Sequence, residues 1–208
     1  MSVHKKERAQ LLDGALVWPY SSPDFVIRAG NRFVRLDIPD ADELSEIVAL
    51  QEKEIGRTAA LQVTQAVFDA NPDSFRVFRG ITPCGTQTYI AGFASFLFLN
   101  DEGECELEAG TFIGRAPTLT SLSAPHVPPA ATYAWALVAR GFGALAVKHA
   151  ALSYRPDLYR GVPVWCTAAS DAGAQLINAE GFASKRNGAG VGGVFRTDQP
   201  AVLKERAS

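Results

Sequence analysis

Hydrophobic and polar residues alternate near residue 33 and then recur at a helical spacing. Phe33, Leu36 and Ile38 are interleaved with charged residues, which predicts a strand. From residue 40 onward the apolar positions recur every three or four residues, which predicts a helix over 40–54. A second helix is expected to follow and to end at the Asn-Pro pair at 71–72.

The middle of the chain returns to a two-residue period. Residues 75–79 and 87–100 predict two strands joined as a hairpin. Residues 101–104 predict a turn, and residues 104–113 (ECELEAGTFI) alternate like a further strand. Residues 114–129 are rich in Pro, Thr and Ser and therefore predict a long loop.

The last third of the chain predicts strands joined through helices. Residues 132–138 alternate, and the face formed by Ala134, Ala136 and Val138 carries little side-chain bulk. The elements expected after it are a glycine-containing turn, a helix ending near residue 154, a strand at 162–167, a helix at 170–180 and a strand near 193–196. Hairpins followed by helical connections predict a mixed α+β or α/β fold, with a central, mostly antiparallel sheet and helices on both faces.

Composition restricts the classes of function. The 208 residues suit one domain at 31–198 with an N-terminal extension at 1–30 and a tail at 199–208. A net charge of −2 gives no basic surplus for nucleic acid, and no apolar run approaches the ~20 residues of a membrane span. Cys84, Cys105 and Cys166 form no CxxC pair, and no histidines are spaced for metal. We therefore expect a cytoplasmic protein without metal, membrane or nucleic-acid partners.

A glycine-containing segment joins the strand at 132–138 to a helical pattern. Its residues are Arg140, Gly141, Phe142, Gly143 and Ala144. Successive backbone N–H groups at a helix start attract an anion, and glycines let the backbone approach it closely. The residues alone allow either this anion site or a plain strand-to-helix turn.

The order of elements, with ALVARGFGAL and AQLINAEGF, resembles the GNAT acyltransferase superfamily over residues 32–195. The resemblance implies that acyl-CoA, as acetyl-CoA or another acyl-CoA, lies between two splayed parallel strands at 132–139 and 162–167. The residues it implies for cofactor binding are Leu137, Val138 and Ala139 through their backbone, residues 140–144 through the CoA phosphates, and Ser170 at the start of the later helix.

Transfer of an acyl group to an amine needs a base, and a carboxylate is the usual one. Glu106 and Glu108 would share a face of the predicted strand, and we take Glu108 as the candidate base. In many family members a tyrosine four residues before Gly181-Phe182 protonates the departing thiolate. Here that position is Ile177, so the resemblance identifies no acid. Other candidates for the acid are Tyr133, Tyr154, Tyr159 and Cys166.

The expected function is transfer of an acetyl or other acyl group from acyl-CoA to a primary amine by direct attack. The acceptor is a small molecule or a peptide. One alternative is a non-catalytic acyl-CoA-binding or regulatory module, which Ile177 favours. Another is a nucleotide-binding domain that uses Gly141 and Gly143, although no GxGxxG is present. The sequence does not determine the oligomeric state, and a homodimer is among the states allowed.

Overall fold

The computed structural model describes residues 26–29, 32–56, 58–81, 88–125, 127–139, 162–179 and 181–198, and eight strands within them form one sheet. The strands are β1 Val26–Ala29, β2 Arg32–Asp37, β3 Phe75–Ile81, β4 Thr88–Leu99, β5 Ala131–Ala139, β6 Val164–Thr167, β7 Ala183–Arg186 and β8 Val194–Thr197. Their order in the sheet is β1-β2-β3-β4-β5-β6-β8-β7, and every neighbouring pair is antiparallel except the parallel pair β5 and β6. The predicted mixed, mostly antiparallel sheet is confirmed.

Helices cover both faces of this sheet, as predicted. They are α1 Leu44–Ile55, α2 Leu61–Ala70, α3 Asp101–Ala109 and α4 Asp171–Ala179. Leu44 of α1 packs with Val77 and Phe93, whereas Ala174 of α4 packs with Cys166 and Phe195. Val67 of α2 and Leu107 of α3 belong to the cluster around Trp165, which lies on the face opposite its neighbour Cys166. We call the two sides the α1 face and the α4 face.

The sheet begins before the predicted domain boundary. β1 pairs antiparallel with β2, so the boundary predicted at residue 31 falls between the first two strands. Next to β2, Arg79 of β3 donates through Nη1 to Glu43 Oε1 at 2.5 Å and through Nε to Asp37 Oδ2 at 2.8 Å. The Arg79 guanidinium lowers the pKa of Glu43. These bonds fix the 3₁₀ turn Ala41–Glu43, from which α1 starts, against the sheet.

The turn predicted at 101–104 and the strand predicted at 104–113 are wrong, because this segment contains helix α3. The Asn100 side chain accepts the N–H of Gly103 at 3.1 Å, which caps the helix, and acidic residues fill its first turn. Gly103 and Leu107, four residues apart, are its buried positions. Gly110 ends the helix with a φ of +80°, a conformation that glycine adopts without strain.

The C-terminal end of α3 is held by an arginine from the last hairpin. The Arg186 guanidinium donates to the carbonyl of Leu107 at 2.8 Å and also to that of Glu108. A side chain at Gly110 would collide with this guanidinium. The Leu107 carbonyl, which also accepts the Gly110 N–H, and the Glu108 carbonyl at the helix end are therefore both bonded by a cation, which the helix dipole favours.

The predicted loop at 114–129 is confirmed in its described residues, which connect α3 to β5. A 3₁₀ turn, Leu119–Ser121, interrupts it. The N–H of Ser123 donates to the Phe98 carbonyl at 2.8 Å, and the N–H of Ala130 donates to the Leu99 carbonyl at 2.8 Å. The loop is therefore bonded to the end of β4. Among the helices that the structure describes, none is long and apolar enough to cross a bilayer.

Candidate functional site

Strand β5 contains a β-bulge at Trp135. Ser95 of β4 pairs with Ala136 and Phe96 pairs with Ala134, so Trp135 has no partner residue in the ladder. Its ring meets Phe75 edge-on, with the ring centroids 5.8 Å apart. Its indole N–H donates to the Gly114 carbonyl at 2.5 Å. An extra residue of this kind changes which side chains point to each face along the rest of the strand.

The bulge contradicts the predicted face of small side chains. Ala134 lies on the α4 face, in the cluster with Cys166. Ala136 and Val138 instead lie on the α1 face, buried against the leucines and isoleucine of α1. Leu137, predicted on the opposite face from Ala134, now shares its face and is 36 % exposed. Helix α1 therefore fills the space over Ala136 and Val138.

The β6 side of β5 is paired over only part of its length, and we call the part that has no partner among the described strands the gap between β5 and β6. The two strands are parallel, and their ladder contains only three residue pairs, from Thr132↔Val164 to Ala134↔Cys166. β5 continues to Ala139 and stays paired with β4 along this length. Beyond Ala134, no described strand pairs with the β6 side of β5. The parallel pair of strands expected from the resemblance is therefore present, and its ladder ends five residues before β5 does.

Leu137 directs its backbone toward this gap. The Ala136 carbonyl accepts the hydroxyl of Ser95 at 3.5 Å, and the Val138 carbonyl lies so close to Gly92 that a side chain there would collide with it. Both carbonyls therefore point to β4. Because successive residues of a strand direct their peptide groups to opposite edges, the N–H and C=O of Leu137 and the N–H of Ala139 face the gap. Cofactor binding by Leu137, Val138 and Ala139 stays a prediction.

The glycine-containing segment follows directly on β5. Arg140, Gly141, Phe142, Gly143 and Ala144 lie outside the described residues. β5 ends at Ala139, the residue that precedes this segment in the sequence. Its role in phosphate binding stays a prediction.

Ser170 begins helix α4, as its position in the sequence indicated. Its hydroxyl oxygen accepts the N–H of Gly173 at 3.1 Å, and its carbonyl accepts the N–H of Ala174 at 2.9 Å. The capping role is confirmed, and a contact with a cofactor stays a prediction. Later in the same helix, Ile177 packs beside Phe182 against the buried cluster of the α4 face. Gly181 then ends the helical segment with a φ of +83°.

A pair of hydroxyl groups lies where β5 and β6 part. The Tyr133 phenol donates to Thr167 Oγ1 at 3.0 Å. Thr167 comes directly after Cys166, the last β6 residue in the parallel ladder, so this bond spans the point of separation. The Phe112 ring packs against Tyr133 with the ring centroids 5.1 Å apart. Burial raises the pKa of the Tyr133 phenol.

Glu108 lies in the last turn of α3 rather than on a strand. About 200° of helix rotation separates it from Glu106, so the two carboxylates do not share a face. Glu108 is 55 % exposed and accepts Arg196 Nη1 at 2.8 Å. The Arg196 guanidinium also lies 5.1 Å from the centre of the Trp165 ring. The role of Glu108 as a base stays a prediction.

Glu104 is a second carboxylate on α3, and its pKa is raised. Burial raises its pKa, and the negative charge of Glu108, one helical turn later, adds to this effect, while Arg196 opposes it. The sequence predicted a turn at Glu104, whereas on the helix Glu104 and Glu108 are four residues apart and share a face. Within the described residues, no three His, Cys, Asp or Glu side chains come together as metal ligands.

Comparison with known proteins finds few similar ones. No protein-family model and no curated protein matches the chain. Among solved structures, it is similar to a histone acetyltransferase HPA2 and related acetyltransferase from Corynebacterium glutamicum. That alignment covers 79 % of this chain and 95 % of the other, with a TM-score of 0.40 and 14 % identity. An identity and a TM-score this low establish no shared activity.

Proposed function

We propose that this protein is a GNAT-type acyltransferase that binds acyl-CoA between β5 and β6 and transfers the acyl group to a primary amine. The observation that carries the proposal is the end of the parallel ladder at Ala134 and Cys166, five residues before the end of β5. Among the described strands none pairs with this edge of β5, and the glycines at 141 and 143 follow β5 in the sequence. A protein that binds an extended ligand by adding it to a sheet needs such an edge.

The length of this edge matches the pantetheine arm of CoA. About 13 Å of strand separates Ala139 from Trp135, at about 3.3 Å per residue. The arm is about as long as four extended residues, roughly 14 Å. With the phosphates at residues 140–144, the arm would pair its amides with the free groups of Leu137 and bring the thioester beside the bulge.

The chemistry at the bulge is attack by the amine nitrogen on the thioester carbonyl carbon. A carbon–nitrogen bond forms, and negative charge develops on the carbonyl oxygen. Backbone N–H groups on the open edge of β5 would stabilise that charge, as preorganised donors do in other acyl transfers. The carbon–sulfur bond then breaks, and the products are an amide and CoA. The acceptor class that we propose is a primary amine of a small molecule or a peptide.

Ligand-induced stabilisation tests the binding step. CoA, acetyl-CoA, longer acyl-CoAs and NAD are each titrated while the melting temperature is measured, since a ligand of the folded state stabilises it by mass action. We expect a shift with the CoA series. No shift with any CoA, together with a shift with NAD, would overturn the proposal and favour nucleotide binding.

A charged substitution tests the location of the phosphates. Gly143→Glu places bulk and negative charge at the proposed phosphate site and should abolish the CoA shift. Gly190→Glu is the matched control, because a side chain at Gly190 meets no atom within 4 Å. It should leave the shift unchanged.

Turnover is tested separately with acetyl-CoA and a panel of amines, with released thiol as the readout. Release that depends on the amine supports the acyltransferase. Tight acyl-CoA binding without turnover of any amine would identify a non-catalytic binding module instead.

A further inference from the structure

We propose that Tyr133 is the proton donor to the CoA sulfur and that Thr167 positions its phenol. The proposal rests on the proposed function, because it requires acyl-CoA between β5 and β6. Its basis is the hydrogen bond between the two hydroxyl groups where the parallel strands part. A thiolate released from a thioester needs a proton, and a donor placed at the sulfur speeds its departure.

Position along the strand brings the phenol to the sulfur. Tyr133 precedes the bulge at Trp135 by two residues. The pantetheine arm, entering from the Ala139 end, reaches the bulge at its full length, as derived above. The Tyr133 hydroxyl extends past the last ladder pair to Thr167, so it lies across the closed end of the gap. The sulfur and the phenol therefore meet at the same place.

The surroundings hold the phenol in one orientation. Phe112 packs against one side of the Tyr133 ring. Gly114 lies next to the hydroxyl, and a Cβ there would come within 3.2 Å of the Tyr133 oxygen. The hydroxyl end of the phenol contacts Thr167, which is exposed. The ring is therefore fixed, and its hydroxyl group lies beside an exposed residue.

In the proposed step, a proton moves from Tyr133 to the sulfur as the thioester bond breaks. As the tetrahedral intermediate collapses, the carbon–sulfur bond breaks and its electron pair stays on sulfur. With CoA bound, the Tyr133 O–H turns from Thr167 to the sulfur and gives its proton to it, and CoA leaves as a thiol. The attacking nitrogen has lost one proton to water, and the phenolate takes one back from water. Thr167 donates its own hydroxyl hydrogen to the phenolate oxygen in the meantime, which makes it a positioning residue.

An affinity cycle tests the contact with sulfur without requiring turnover. The affinities of wild type and Tyr133→Phe are measured for CoA and for desulfo-CoA, which carries hydrogen in place of the thiol. We expect Tyr133→Phe to weaken CoA binding about fivefold, the value of one hydrogen bond, and to leave desulfo-CoA binding unchanged. Equal effects on both ligands, or no effect on either, would overturn the assignment while the proposed function stands. Failure of wild type to bind any CoA would overturn the proposed function itself.

Kinetics separate proton donation from a structural role. Tyr133→Phe should lower kcat about 100-fold, with the KM for acetyl-CoA within about twofold of wild type. Thr167→Val breaks the same hydrogen bond but keeps the phenol, so its loss of kcat should be about tenfold smaller. Equal losses in the two variants would mean that the bond serves only to join the strands. Difluorotyrosine at position 133 keeps the shape of the side chain and lowers the pKa of its phenol. The alkaline limb of the plot of kcat against pH should therefore move to lower pH. An alkaline limb that does not move would contradict the proposal.

Discussion

Trp135 donates its indole N–H to the carbonyl of Gly114, and this bond joins the bulge on β5 to the loop that leaves α3. The loop in turn places Phe112 against Tyr133. The geometry of the proposed site therefore depends on a connection between a strand irregularity and a loop 21 residues earlier in the chain.

Trp135→Phe keeps an aromatic ring against Phe75 but leaves the Gly114 carbonyl without its donor. We expect the free energy of unfolding to fall by about 1–2 kcal/mol, because a partly buried acceptor loses its partner. Urea unfolding measures the change, and Tyr89→Phe, at a ring that is 47 % exposed, is the control. Equal stability of the two variants would show that the indole bond contributes nothing.

Leu137→Pro removes the backbone N–H that faces the gap, and Leu137→Ala keeps it. Proline is tolerated at an unpaired strand edge, so the ladder with β4 should survive. We expect about tenfold weaker acetyl-CoA binding in Leu137→Pro and unchanged binding in Leu137→Ala, measured by calorimetry. If the alanine variant loses as much affinity, the side chain and not the peptide group contacts the ligand.

Gly92→Ala should destabilise the sheet. The new methyl group would collide with the Val138 carbonyl and approach the Ala139 Cα to 2.8 Å. Overpacking of this kind costs about 1–3 kcal/mol. Gly190→Ala is the control, since its methyl meets open space and should change the melting temperature little. Similar melting temperatures for both variants would contradict the close contact between β4 and β5.

Glu43→Gln should lower stability at neutral pH more than in acid. Arg79 lowers the pKa of Glu43 in the folded state, so the contribution of the carboxylate is complete above the unfolded value near 4.5 and disappears as the pH falls through the lower folded pKa. The expected loss at pH 7 is about 1–2 kcal/mol. Urea unfolding at pH 7 and pH 3 gives the two differences, and equal differences would exclude an ion-pair contribution.

Cys166 should be inert in the folded protein. Burial raises the pKa of its thiol to about 12, whereas Cys105 is exposed. At pH 8, Ellman's reagent should label Cys105 within minutes and Cys166 only in urea, as peptide mass spectrometry can resolve. Fast labelling of Cys166 without denaturant would show that the α4 face opens.

Local patterns predicted most elements of the fold. Three local patterns each favour one structure, and each prediction is confirmed: the helix after residue 40, the hairpin of β3 and β4, and the helix end at the glycine after α4. The segment around Glu108 was misjudged, because alternating glutamates fit a strand and a helix equally well. Asn100 favours the helix over the strand, because its capping bond defines where the helix starts.

The candidate site was less predictable than the sheet. Nothing in WALVA marks Trp135 as the extra residue, since the bulge follows from the pairing of β5 with β4. Alternation without a bulge predicts Ala136 and Val138 on the same face as Ala134, whereas they lie on the α1 face. The bond between Tyr133 and Thr167 was equally hidden, because residues 34 positions apart meet only when the parallel strands align.

Arg186 completes α3 from 79 residues further along the chain. During synthesis, the helix therefore emerges without its C-terminal donor and acquires it only when the final hairpin docks. In a chain that stops before β7, the Glu108 carbonyl would be bonded to water and the Leu107 carbonyl would keep only the Gly110 N–H. Docking of the last hairpin therefore stabilises the helix that packs against Trp165.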